Sequence, residues 1–183
     1  MPDKIQSLTN GAGMKVRFGE IPDEGLRFEI KDESWFPDHE LQRGGPVLAI
    51  VVLKRNGVDR VLLEGEIKTT LAFDCDRCLE NYSQELDSSF KLDLEYAAGN
   101  RLDTAEHEVS PAEMDMIYLE EPVVDVFEIL SQQIFLMVPG KHLCSESCKG
   151  LCPRCGANLN EEACDCKQEL KSSPFAILKK VQP

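Results

Sequence analysis

The 183-residue sequence contains no long apolar run. The longest, Val47 to Leu53, covers seven residues, whereas a helix needs roughly 20 to span a membrane. The opening MPDKIQSLTNGAGMKVRF offers no apolar core for a secretory signal. The cytoplasm is therefore the expected compartment, and thiols there stay reduced. Histidine is scarce. His39, His107 and His142 stand alone, and only His142, two residues before Cys144, is close enough to be weighed as a ligand against the reading of a surface imidazole. No pair of carboxylates stands with a His or Lys at metal-catalysis spacing, which argues against a nuclease. Internal repeats and low-complexity tracts are absent too.

Positive charge is the other scarcity. The net charge is −13, and it is unevenly placed: residues 140–183 carry seven Lys/Arg and five Asp/Glu, which leaves 13 basic against 28 acidic groups in residues 1–139. An acidic body repels a phosphate backbone, because nonspecific nucleic-acid affinity comes from cations that displace counterions. A partner with a basic surface, such as a ribosomal protein, suits it better.

What remains is the composition of a globular chain, 42% hydrophobic and 29% charged. The segment 46–78 reads as a β-hairpin. It has a β-branched run, an Asn56-Gly57 tip expected to supply two positive-φ residues, and a second strand alternating through Leu63, Gly65, Ile67, Thr69 and Leu71. Residues 82–96 alternate again, with Leu86, Ser88, Phe90, Leu92, Leu94 and Tyr96 on one face, and predict another antiparallel strand. Shorter strand candidates are 15–18, 26–30 and 116–119. The acidic stretch 97–115 reads as a loop in which Ser110-Pro111-Ala112-Glu113 can cap one helical turn.

Asp125-Val126-Phe127-Glu128 announces the main helix, with Asp125 as its cap and Phe127, Leu130, Ile134 and Met137 as its apolar stripe. Pro139-Gly140 ends it. A short second helix is expected from Pro174. The expected fold class is thus α+β: a mainly antiparallel β-sheet with one packed amphipathic helix and a cysteine-rich, zinc-binding C-terminal module. The body takes residues 1–139, with its helix over 126–138, and the tail takes residues 140–183.

The eight cysteines fall into four close pairs, Cys75/Cys78, Cys144/Cys148, Cys152/Cys155 and Cys164/Cys166. A close pair gives two thiolates to one ion, and two pairs complete the closed tetrahedron of structural zinc. In CPRCG, Pro153 stiffens the turn and Gly156 allows the positive φ that turns the chain back. The preferred pairing sets Cys152, Cys155, Cys164 and Cys166 as one site, and Cys75, Cys78, Cys144 and Cys148 as another that ties the tail to the sheet. A tail site of Cys144, Cys148, Cys152 and Cys155, with CDRC and CDC combining, stays open. Also open are a disulfide staple, a single filled site with a vestigial pair, and a redox dithiol in which Arg77 lowers a thiol pKa. The redox motif normally opens a helix after a strand, and here a strand-like segment follows.

DCDRCLE, the acidic loop, VDVFEILSQQIFLMVPGKHLCSESCKGLCPRCGANLNEEACDC and the closing SSPFAILKK resemble, in that order, the YceD family of large-ribosomal-RNA-subunit accumulation proteins. The resemblance covers roughly residues 46–181. It implies a noncatalytic bacterial or organellar factor for processing or accumulation of large-subunit ribosomal RNA, with Cys75, Arg77, Cys78, the six tail cysteines, Pro174 and Phe175 as motif residues. The expected partner is a ribosomal protein or a pre-ribosomal particle of the large subunit, met through cations such as Arg77, Lys149 and Arg154. RNA contact is not favoured by the net charge, and neither a membrane nor a small-molecule substrate is expected. A zinc-ribbon adaptor in transcription or metal handling is the alternative, and a thiol redox enzyme or nuclease is the third reading.

Overall fold

The computed structural model describes residues 13–97 and 116–166. The turn expected at Ser110–Glu113 and the helix expected from Pro174 lie outside them. Strand β1 (Lys15–Arg17) leads through a single 3-10 turn (Phe18–Glu20) to β2 (Leu26–Ile30), β3 (Gln42–Arg43), β4 (Leu48–Arg55), β5 (Arg60–Asp74) and β6 (Asn81–Tyr96). After the acidic stretch come β7 (Met116–Leu119), β8 (Val123–Asp125) and helix α1 (Val126–Met137).

The main sheet has the order β2-β4-β5-β6-β7, with the short β3 also pairing β5. Antiparallel pairs set Phe28 opposite Val51, and Val51 opposite Gly65. The last pair, β6 with β7, is parallel and places Leu94 beside Ile117. The main sheet is therefore mixed at one edge, within an α+β arrangement that has one α-helix among the described residues. A separate two-stranded ribbon joins β1 to β8.

Period-2 patterning decides which face is covered. Ala49, Val51 and Leu53 on β4, and Val61, Leu63, Ile67 and Leu71 on β5, are all buried, while their neighbours along each strand are half-buried or exposed. Burying one such side chain contributes about 1.5–3 kcal/mol. Gly65 belongs to this row for a specific reason. A Cβ there would stand 2.7 Å from two ring carbons of Phe90 on β6, so the aromatic ring lies on bare backbone. Contacts between β5 and β6 run in opposite senses along the two strands: Arg60 meets Glu95 and Lys68 meets Asp87, each at 2.8 Å.

Three local expectations need correction. At the β4–β5 tip only Gly57 has positive φ, and Asn56 N–H donates to Arg60 O at 3.0 Å. Four residues thus span the turn, and the tight two-residue form is not adopted. In α1 the buried residues are Val126, Ile129, Leu130 and Ile134, while Phe127 and Met137 are half-buried. The steps 126–130–134 keep a straighter line along the helix than the expected stripe, and the cover is rotated toward them. The Asp125 cap does form, accepting from Glu128 N–H at 3.1 Å, but the Glu128 carboxylate turns to Gln132. The third concerns the ends of elements. Phe18 leaves its strand for the 3-10 turn, and β3 and β8, two and three residues long, are too short for alternation to reveal.

Two compact units result. One comprises the described residues up to Phe73 and again from Ser83 to Gly140, and the other comprises Asp74–Tyr82 with the described residues from Lys141 onward. No helix among the described residues is long and apolar enough to cross a membrane.

Candidate metal centres

The second unit is built on two turns of the form CxxC. In each, the first cysteine's carbonyl accepts from the residue after the second cysteine: Leu79 N–H to Cys75 O, and Gly156 N–H to Cys152 O, both at 2.9 Å. In each, the first cysteine's own N–H reaches five residues on, Cys75 to Glu80 O at 2.9 Å and Cys152 to Ala157 O at 2.8 Å. The two knuckles are the same turn. Gly156 takes the required left-handed backbone at φ 76°, and Leu79 takes it at φ 62° despite carrying a side chain. CDRCL lacks the glycine that marks CPRCG, so the equivalence of the two turns was not visible in the residue types.

The sulfurs of Cys75, Cys78, Cys144 and Cys148 lie within 4.8 Å of one another, and so do those of Cys152, Cys155, Cys164 and Cys166. These are the two groups of the preferred pairing. In the first group Cys75 and Cys148 sulfurs are 3.8 Å apart, and those of Cys78 and Cys144 are 3.6 Å apart. A tetrahedron with metal–sulfur arms of 2.3 Å has edges of about 3.8 Å, so these separations fit an ion of zinc's size and preference. Either group can hold a metal ion. Four sulfurs close the coordination shell, which leaves no position for an activated water.

Cys75, Cys78 and Cys148 are buried, with Tyr82, Leu143 and Leu151 packed round them, while Cys144 closes the group from the exposed side. In the second group Cys152 is buried and Cys155 exposed, with Cys164 and Cys166 between those extremes. The first group is drawn together across the chain by backbone. Asp76 N–H donates to His142 O, and His142 N–H to the Asp76 carboxylate, both at 2.7 Å. His142 thus contributes its main chain, and both candidate groups are wholly cysteine.

Arg77 serves the same closure. Its guanidinium donates to Cys148 O at 2.9 Å and Glu146 O at 3.3 Å, while its carbonyl accepts from Leu151 N–H at 3.0 Å. Lys149 and Arg154, the other two cations singled out by sequence, are exposed. Two residues without ligating chemistry also prove central. Gly150, at φ 73°, lies so close to Arg77 that a Cβ there would be 2.8 Å from Arg77 O. Asn160 donates from its amide to Cys148 sulfur at 3.3 Å. Both stand in the CKGLCPRCGANLN block, whose cysteines drew the attention in the sequence.

Charge is unevenly distributed inside each group. The N–H of Cys144 brings the Cys75 thiol down to about 6 against the resistance of burial, with the N–H groups of Cys78 and Arg77 assisting. The N–H groups of Cys155 and Arg154 bring Cys152 to about 6. Asn160's amide lowers Cys148. Conversely, the Cys148 and Cys78 sulfurs push Cys144 up to about 12, and the Cys155 sulfur pushes Cys166 up to about 12. Each group therefore holds thiolate readily at some of its sulfurs, Cys75 and Cys148 in the first and Cys152 in the second, and resists further negative charge at the others, a conflict that a divalent cation resolves.

The family described as Large ribosomal RNA subunit accumulation protein YceD matches residues 63–182, about two thirds of the chain and a span containing all eight cysteines. The chain belongs to the YceD family. It is 27% identical over 175 residues to the chloroplastic Large ribosomal RNA subunit accumulation protein YCED homolog 1 of Arabidopsis thaliana, covering 84% of this chain and 52% of that protein. The Zea mays protein of the same name is 28% identical over 145 residues, covering 67% of this chain and 49% of its own length. The chain thus spans about half the length of the curated relatives it matches. No solved structure matches it.

Proposed function

We propose that the protein is a noncatalytic factor for accumulation of large-subunit ribosomal RNA, and that structural zinc in both cysteine groups shapes its tail for a partner in large-subunit assembly. The observation that carries the zinc part is the pair of four-sulfur groups, each compact to within 4.8 Å. Membership of the family carries the ribosomal part. A closed four-thiolate ion organises backbone and activates nothing, which suits an assembly factor better than an enzyme. The proposed partner is a ribosomal protein or pre-ribosomal particle whose basic surface complements the acidic body. Lys149 and Arg154 are the exposed cations proposed to contribute at the tail. Arg77 is a weaker candidate there, since its guanidinium serves the knuckle. The proposed compartment is the cytoplasm, whose reducing poise keeps the thiols available.

Metal analysis of protein purified without added zinc should give close to two ions per chain, while a value near zero with titratable disulfides refutes the zinc reading. Depletion of the protein should lower mature large-subunit ribosomal RNA or raise its precursor, restored by the wild-type gene and not by one carrying Cys75→Ser and Cys152→Ser. Unchanged ribosome profiles after depletion refute the ribosomal reading.

A further inference from the structure

Asn160 lies in the span between Cys155 and Cys164 that closes the second cysteine group, yet its side chain is spent on the first. The amide Nδ2 donates to the Cys148 sulfur at 3.3 Å and to Asn158 Oδ1 at 2.9 Å, while Oδ1 accepts from Lys149 N–H at 2.8 Å. The carboxamide therefore straddles a ligand of the first group and the residue that follows it. Its own backbone is fixed from the same side: Asn160 N–H donates to Asn158 Oδ1 at 3.1 Å, Leu159 N–H donates to Gly150 O at 2.9 Å, and Leu151 and Asn158 form an antiparallel bridge.

We infer that Asn160 is a positioning residue for the first metal centre, so that filling the second centre tightens the first. The inference rests on the zinc reading above. A metal held by Cys155 and Cys164 pins both ends of the span that carries Asn160. With those ends released, the amide must be ordered at an entropic cost before it can reach Cys148. A hydrogen bond to a metal-bound thiolate orients the ligand and takes up part of its charge, and losing such an outer partner typically lowers metal affinity about 10–100-fold. Coupling is reciprocal, so the first centre must tighten the second by the same factor.

Cobalt(II) titration of the full chain, read by its thiolate-to-metal absorption and by competition with a chelator, tests this. N160A should leave two ions bound but weaken the second binding step, which carries the coupling, about 10–100-fold and move the first centre's charge-transfer band to lower energy, because an unbonded thiolate gives up charge more easily. N160D keeps the acceptor for Lys149 N–H and lacks the donor, so it should show the same band shift. Removing the second centre with C164S/C166S should weaken the remaining one by a similar factor. Adding N160A to that background should then cost little more, since the amide is no longer held in place.

An N160A chain with both affinities within twofold of wild type and an unmoved band overturns the inference, as does full additivity with C164S/C166S. Equal weakening of both binding steps without a band shift also overturns it and makes Asn160 a turn residue. If the wild-type chain binds no cobalt, the zinc reading falls and this inference falls with it, a result distinguishable because it requires no variant.

Discussion

Substitution of Gly150 by alanine should loosen the first metal centre without touching any of its ligands. Two costs add at this position. Left-handed backbone costs a residue with a side chain roughly 1–2 kcal/mol, and Gly150 sits at φ 73°. The new methyl would also stand 2.8 Å from Arg77 O and 3.2 Å from Arg77 Cβ. Backbone at that distance must move, and moving it breaks the Leu151 N–H to Arg77 O bond, a loss of about 0.5–1.5 kcal/mol.

The total comes to about 1.5–3.5 kcal/mol, or, at 1.4 kcal/mol per decade, roughly ten- to three-hundredfold in zinc affinity. Gly156 supplies the control, because at φ 76° it has the same backbone need, and a methyl group placed on it would meet nothing within 4 Å. Gly156→Ala should therefore cost only the backbone share, near tenfold at its own centre. Chelator competition on both variants measures the difference. Equal losses in the two variants, or a Gly150→Ala chain within threefold of wild type, would refute the claim that the close approach to Arg77 matters.

Leu79→Gly should act in the other direction. Relief of the left-handed strain outweighs the added freedom of glycine in the unfolded chain, for a net gain of about 0.5–1 kcal/mol in the stability of the metal-bound tail. Weaker zinc retention in this variant would mean that the exposed leucine is held in place by contacts. At pH 8, metal uptake by the first centre should release at least two protons, one from Cys144, pushed up to about 12 by neighbouring sulfurs, and one from Cys78, which burial and Cys75 raise despite the N–H of Glu80. Thiols with raised values are protonated before binding and give up that proton on binding, so affinity should climb as pH rises. Calorimetry in buffers of different ionisation enthalpy counts the protons, and a count near zero would contradict the charge distribution. Asp125→Ala removes the cap on Glu128 N–H and should cost about 1 kcal/mol of stability in thermal or denaturant unfolding.

Much of this architecture was legible from side-chain period and residue pairing. Alternation reveals β5 and β6, the β-branched run of residues 47–53 reveals β4, and Asp125 marks the start of α1 because a cap is a local chemical need. The parallel partner of β6 was not readable, since pairing direction depends on a connection through space and four residues of β7 carry no period. Spacing also brought the eight cysteines down to a few pairings. It could not reveal Asn160, whose role depends on where a loop folds back, nor that Leu79 adopts a glycine's backbone, nor that Arg77 turns its guanidinium inward to carbonyl groups.

The first cysteine group joins residues 66 apart, Cys78 to Cys144, and a metal ion held there would close the chain between them. Treated as a cross-link, a closure of that length removes about 4 kcal/mol of chain entropy from the unfolded state. During synthesis Cys75 and Cys78 emerge long before their partners, and β6, β7, β8 and α1 must all be made before the loop can shut. The second centre draws only on Cys152 to Cys166 and can close within one short segment. The two ions would therefore arrive at different moments in the life of the chain, the local one as a late and rapid step, the other as a latch that records that everything between its halves has been completed.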